Sequence, residues 1–154
     1  MSRFITTCGI SRGLRERLRS FKFSKSTSLN ALILKVDRDA QQIVLEDSIE
    51  DCSIDEVRRE LSQQPRFVLL SYVLRHADGR LSYPMCLVFY SLKMRSVAHS
   101  PLRELAGKQG CSPELQMMYA GSKENVVQEC EVTNNFEIRD AEELTKEYLD
   151  LRLG

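Results

Sequence analysis

Two apolar runs, residues 67–75 and 80–90, flank the tetrapeptide His76-Ala77-Asp78-Gly79, and this arrangement restricts the fold more than any other stretch of the chain. Phe, Val, Leu and Tyr dominate both runs, which suits the pleated surface of a strand. Gly79 supplies the positive backbone angle that a tight hairpin requires, and Asp78 belongs to the residues that turn a chain back on itself. The pattern predicts an antiparallel pair, Phe67 to Arg75 with Arg80 to Tyr90, and hence a sheet at the centre of the fold.

The remaining elements are expected to gather around that pair. Leu29 to Asp37 and Gln41 to Glu46, rich in Ile, Leu and Val about the polar Asp37-Arg38-Asp39-Ala40, read as a second hairpin. Leu14, Leu18 and Phe21 recur at helical spacing, so residues 11–20 are predicted as a short helix with a basic outer face. Ser53 followed by Glu56 has the spacing of a capping box, and Ile54, Val57 and Leu61 continue it as a helix that Pro65 is expected to end. Ser112, Pro113 and Glu114 combine a capping hydroxyl, a residue pre-set for the first helical position and a carboxylate at the positive end of the helix dipole, and predict a long helix to about Cys130. Phe136 to Arg139 reads as a last strand, and Asp140 with Glu143 repeats the capping spacing before Leu144, Tyr148 and Leu151. Strands and helices in this order predict an α/β fold of α+β type, with one mixed sheet carrying helices on its faces. Residues 91–110 fit no element and are expected to form a mobile loop.

A chain of 154 residues, 42% hydrophobic and 29% charged, fits one globular domain spanning residues 1–154. Lys+Arg and Asp+Glu are 22 each, which removes the whole-molecule attraction typical of a general nucleic-acid binder. The charge is uneven, basic over residues 1–25 and acidic over 137–152. The five cysteines show no C-x-x-C pair and no regular spacing, which argues for a reduced, cytosolic protein, and no window is apolar enough to span a membrane. Nucleotide-binding glycine motifs and the H-E-x-x-H metal motif are absent, and no cofactor or metal is expected. A cysteine-dependent enzyme would have to use Cys111 with His99, for which the sequence marks neither an orienting group nor a pocket. Cys86 reads as a small core residue, the acids at 47–51 and 142–143 as solvated surface, and Phe21-Lys22-Phe23 as a corner that buries its rings.

Projected at about 100° per residue, the long helix places Leu115, Tyr119, Ser122, Val126 and Cys130 on one stripe with Met118 at its edge, and this stripe is expected to face the sheet. Met117 falls roughly opposite, near Ala120, Gly121, Glu124 and Gln128. A flexible apolar side chain among small residues suits contact with another protein. On the residues alone it reads equally as a lone exposed methionine.

The segment Met117-Met118-Tyr119-Ala120-Gly121-Ser122-Lys123 resembles the long-helix motif of the actin-depolymerising-factor homology domain, and the paired Met with Ala-Gly is similar to its glia maturation factor branch. Phe21-Lys22-Phe23-Ser24-Lys25, the run Asn30 to Asp37, Gln64-Pro65-Arg66-Phe67, the run Asp78 to Cys86 and Phe136-Glu137-Ile138-Arg139 match in family order over nearly the whole chain. The resemblance implies a central mixed sheet flanked by helices on both faces, no catalysis and no cofactor. It further implies a monomer, cytoplasmic and associated with the actin cytoskeleton, with the nucleus open as a second location, that neither binds nucleic acid nor inserts into membranes.

The implied activity is binding to the actin-related protein 2/3 complex, inhibition of branched nucleation and promotion of debranching, with cofilin-like binding and severing of actin as the alternative. The resemblance implies two surfaces. Ser2, Arg3, Glu114, Gln116, Met117, Ala120, Gly121 and Lys123 would dock in a barbed-end groove of the complex. Asp78, Gly79 and Arg80, with the C-terminal helix, would touch the first actin subunit of the daughter filament. Cofilin-like helices carry Lys where this chain has Glu114 and Gln116, so attraction to the acidic residues of ordinary actin is lost and repulsion added. Between Tyr90 and Gly110 the chain departs from the family by an insertion of roughly 16 residues, longer than an ordinary connection.

Overall fold

The computed structural model describes residues 8–22, 27–61, 64–91 and 113–153. Along the chain lie β1 (Gly9–Ile10), α1 (Arg12–Lys22), β2 (Asn30–Asp37), β3 (Gln42–Ile49), α2 (Ile54–Glu60), β4 (Arg66–Ser71), β5 (Leu74–Arg75), β6 (Leu81–Ser82), β7 (Met85–Tyr90), α3 (Pro113–Cys130), β8 (Asn134–Ile138) and α4 (Lys146–Leu153). Six strands form one sheet in the order β1-β3-β2-β4-β7-β8, while β5 and β6 pair separately. The four central strands are antiparallel to one another, and β1 and β8 join the edges in parallel to β3 and β7.

The centre of the sheet is buried on both faces, and β2, β4 and β7 accordingly read as nearly continuous apolar runs. On one face Leu32, Leu34, Val36, Phe67, Leu69, Leu87 and Phe89 pack against Leu14, Leu18 and Phe21 of α1 and Met118, Tyr119, Val126 and Cys130 of α3. On the other, Ala31, Val68, Leu70, Cys86, Val88 and Tyr90 meet Val57 of α2 together with Leu144 and Leu149 near the C-terminus. Alternate residues of each strand serve opposite cores, so a one-residue slip would misplace every side chain. At about 1.5–3 kcal/mol for each large apolar side chain removed from water, these two layers dominate the stability of the fold. Cys86 is fully buried and its thiol is pushed up to about 12 by burial, as suits an inert core residue.

The predicted central hairpin is present but is divided between two sheets. Arg66↔Tyr90 through Ser71↔Met85, and then Leu74↔Ser82 and Arg75↔Leu81, all keep one register. Between the two ladders the Tyr72 N–H donates to the Pro84 carbonyl at 2.9 Å. Pro84 has no N–H to return, and the ladder lapses there. Gly79 takes φ +89° at the tip, where the His76 N–H donates to the Arg80 carbonyl at 2.8 Å.

Other boundaries move for physical reasons. β3 runs to Ile49 rather than to Glu46, because β2 pairs with it as far as Ala31↔Ile49 across a bulge between Ile33 and Leu34. Beyond the short cover of β1, Glu46 and Asp47 lie on the outer sheet edge, where charge discourages pairing with another strand. The Ser53 hydroxyl accepts from the Glu56 N–H at 3.2 Å, but α2 ends at Glu60, where Leu61 turns extended and goes into the core, well before Pro65.

The Asp140–Glu143 capping box is real, yet it closes a 3₁₀ turn at Ala141–Glu143. Thr145 starts α4, its hydroxyl accepting from the Tyr148 N–H at 3.1 Å. The helix expected after the Asp140–Glu143 cap thus begins only at Lys146, which places Leu149 in the core and leaves Leu151 81% exposed. Of the loop predicted at 91–110, Ser91 is tied to the end of β8, its N–H donating to the Ile138 carbonyl at 2.9 Å, while residues 92–110, with His99, lie outside the described residues, as do the predicted helix cap Ser112, Cys111 and Phe23. Among the described residues no helix is long and apolar enough to cross a membrane.

Candidate functional site

The inner side of α3 follows the predicted stripe: Met118, Tyr119, Ser122, Val126 and Cys130 are buried, and Leu115 packs partly against the same core. Polar anchors fix the helix as firmly as the apolar ones. The Tyr119 hydroxyl, 83 positions from Val36 and 53 from Arg66, accepts from the Val36 N–H at 3.0 Å and from Arg66 Nη1 at 3.1 Å. Arg66, itself buried, holds Glu46 through two parallel bonds of 2.8 and 2.9 Å. These bonds draw the Glu46 carboxyl below its ordinary range, and burial pushes the Tyr119 phenol up.

Further along, the Ser122 hydroxyl donates to the Met118 carbonyl at 2.6 Å and accepts from the Cys8 N–H at 2.8 Å, while Asn125 Nδ2 donates to the Cys8 carbonyl at 2.8 Å. Both backbone groups of Cys8 are therefore clamped to α3. Burial raises the Cys8 thiol despite the opposing bond from Ser122. Ser2 and Arg3 lie outside the described residues, and Cys8 is the described residue nearest to them.

The outer side of α3 carries the other candidates. Met117 is 53% exposed, Ala120, Gly121 and Glu114 are exposed, and Gln116 and Lys123 are half-buried. The helix thus keeps its apolar groups on the sheet side apart from Met117, which stands in solvent beside two residues too small to shield it. Glu114 is not isolated: Arg38 Nη2, from the β2–β3 tip, lies 3.3 Å from its Oε2.

Asp78, Gly79 and Arg80 form the tip of the β5–β6 hairpin, and the structure does not bring them into contact with the α3 group. The Arg80 N–H donates to Asp78 Oδ1 at 3.0 Å and its Nε to Oδ2 at 2.8 Å. The first of these bonds, and then the second, hold the Asp78 carboxyl below the usual range although it is fully solvated. Leu81, which opens β6, and Tyr83, just beyond its end, are exposed at 45% and 40%. His76 is half-buried and shares a 2.8 Å bond with Ser82 Oγ.

A groove between α2, the base of this hairpin and the start of α4 is lined by Leu29, Ile54, Tyr72, Val73 and Lys146 among others, and includes none of the candidate residues. Tyr72 donates to Asp150 at 2.6 Å along its side.

Sequence reasoning missed Arg38, Arg66 and Asn125. A tyrosine inside a buried stripe does signal that its hydroxyl needs partners, since a buried phenol is almost always bonded. Nothing local says which residues supply them.

The sequence profile of cofilin/tropomyosin-type actin-binding proteins matches residues 7–92, up to the end of β7. The relatives extend over the remainder. The chain is 44% identical over 155 positions to glia maturation factor beta of Homo sapiens, covering 100% of this chain and 98% of that one. It is 42% identical over 147 positions to the glia maturation factor of Drosophila melanogaster, covering 95% of each. The solution structure of glia maturation factor from Caenorhabditis elegans shares the fold with a TM-score of 0.75 at 46% identity, over 99% of both chains. The crystal structure of Plasmodium berghei actin depolymerization factor 2 gives a TM-score of 0.73 at 18% identity, over 97% of this chain and 98% of that one, a likeness of fold alone. With its doubly covered sheet, its anchored long helix and these full-length relatives, the chain belongs to the glia maturation factor branch of the cofilin/tropomyosin-type actin-binding family.

Proposed function

We propose that the chain binds the actin-related protein 2/3 complex through the outer face of α3, thereby inhibiting branched nucleation and promoting debranching without catalysing any reaction. The exposed Met117 on a helix locked from behind is the observation that carries this reading. A rigid element presenting one adaptable apolar anchor between small residues has what a binding hot spot needs, because little ordering entropy is lost when a partner closes over it. Ser2 and Arg3 extend this surface on the evidence of the resemblance alone. The hairpin tip at Asp78, Gly79 and Arg80 serves as a second surface toward the first actin subunit of the daughter filament. Its bonds are internal to the turn, so the tip keeps its shape without help from α3. The chain acts in the cytoplasm, as a monomer.

Cofilin-like binding of ordinary actin is the competing reading, and Glu114 with Gln116 argues against it. These residues place an anion and a neutral amide at the start of the surface, where an acidic partner would be repelled.

Sedimentation with the complex and, separately, with monomeric actin tests the proposal. Binding to the complex with weak or undetectable binding to the monomer is the expected result, and the reverse preference would replace this reading with the cofilin-like one. Glu114→Lys combined with Gln116→Lys is expected to restore part of the monomer binding at low salt, with the gain shrinking as salt screens it.

A further inference from the structure

We infer that Arg38, at the tip of the β2–β3 hairpin, belongs to the partner-binding surface and supplies the cation that the first turns of α3 lack. The inference rests on the reading of α3 given above and names a residue that selects among partner faces. Lys123 is the single Lys or Arg in α3, and it lies beyond Met117 toward the C-terminus. Around Glu114 and Met117 the positive charge comes instead from another element: Arg38 Nη2 reaches Glu114 Oε2 at 3.3 Å across 76 positions of sequence. Both side chains remain about half exposed, at 56% and 47%.

Two features hold Arg38 in place. Asp37 Oδ1 accepts the N–H groups of Asp39 and Ala40, each at 3.2 Å, and Gln41 takes φ +55°, so the tip is a built turn. The strand entering it is tied to α3 one residue earlier, where the Val36 N–H donates to the Tyr119 hydroxyl. Arg38 and Met117 therefore ride on two elements fixed to each other.

A guanidinium has five N–H donors in a rigid fork, and the bond to Glu114 uses one of them. The remaining donors suit a carboxylate on the partner. Glu114 steadies the fork, but its own charge repels that carboxylate. The partner face that fits is an apolar pocket for Met117 with an acidic side chain beside it. A face whose acid lies over the axis of α3 meets Glu114 instead and is rejected.

The test compares Arg38→Gln and Glu114→Gln in sedimentation with the actin-related protein 2/3 complex at low and high salt, with thermal melting of each. Both variants break the pair, but only the first removes the cation. Arg38→Gln is expected to weaken binding about five- to tenfold at low salt and much less at high salt. Glu114→Gln is expected to tighten it about twofold at low salt, because an anion facing the partner's acid is gone. Similar losses in both variants would show that the pair only braces the hairpin against the helix, and would overturn the inference, as would full affinity in Arg38→Gln. Met117→Asp, measured in parallel, separates the two levels. A loss there without a loss at Arg38 overturns this inference alone, and unchanged binding there overturns the reading of the helix face beneath it.

Discussion

Helix α3 and the β5–β6 hairpin tip are both candidate surfaces, but they are held in place by opposite means. The helix is fixed by partners far away in sequence, Val36, Arg66 and Cys8, through bonds buried beneath it. The tip is fixed by its own residues, since Asp78, Gly79 and Arg80 bond one another or His76 within a few positions. A surface of the first kind is lost when distant residues change, whereas one of the second kind answers only to local changes. The contrast also separates position from contact: at α3 adjacent residues do different jobs, and at the tip one residue does both.

The strongest way to sharpen this comparison is the pair Met117 and Met118. Met118→Asp places an unpaired carboxylate in the core between α3 and the sheet and is expected to cost on the order of 4 kcal/mol or more, seen as loss of the thermal transition. Met117→Asp should leave the melting curve within about 0.5 kcal/mol of the parent while binding to the complex falls by a few kcal/mol. Equal destabilisation by both would break the assignment of the two helix faces.

A smaller effect is expected behind the helix. Arg66→Met removes the donor that joins Glu46 to Tyr119, a pair between the buried and the exposed limits, and should cost about 2–3 kcal/mol in chemical denaturation. The same ion pair sets a pH dependence. Arg66 bonds depress the Glu46 carboxyl in the folded state, so its contribution is fully present above the unfolded carboxylate pKa and is lost as pH falls through the lower folded value. Glu46→Gln should therefore flatten the acid side of the stability profile, and an unchanged profile would show that the pair contributes nothing to folding.

At the tip the expected effects shrink further. Gly79→Ala meets no atom within 4 Å, so its cost of about 1 kcal/mol comes from the positive φ alone. Arg80→Ala should change stability by less than about 0.5 kcal/mol, because its ion pair with Asp78 is solvated. In a branch-dissociation assay it should reduce debranching more than it reduces binding to the complex. Equal losses in the two assays would merge the surfaces that the comparison keeps apart.

Most of the framework was legible in the sequence because it is written in local pattern. The α3 stripe, the hairpin turn at Gly79 and the apolar β2 and β4 runs depend on pattern within one element. Errors arose where an element is ended or restarted by something outside that spacing. The last helix begins only at Lys146 because Thr145 restarts it after the 3₁₀ turn, and the central hairpin divides because Pro84 withholds one donor. Of the candidate site, Met117 was visible by its place opposite the buried stripe. Arg38 was not, since its position beside Glu114 exists only after two elements 76 residues apart are brought together.

The arrangement of parallel edges around an antiparallel centre also sets an order of assembly. The four central strands come from residues 30–90 and join through antiparallel pairings. The edge strands β1 and β8 are parallel to their neighbours and cannot be reached by a tight turn, so β8 closes only after the chain has crossed through α3. Pairings separated by so long an excursion cost more chain entropy before they gain anything. The antiparallel centre of the sheet is therefore expected to exchange its amides most slowly, and the parallel edge pairings of β1 and β8 to open before it. A partner seated on the already anchored α3 is expected to add amide protection along α3 and the β8 edge behind it rather than in the central strands.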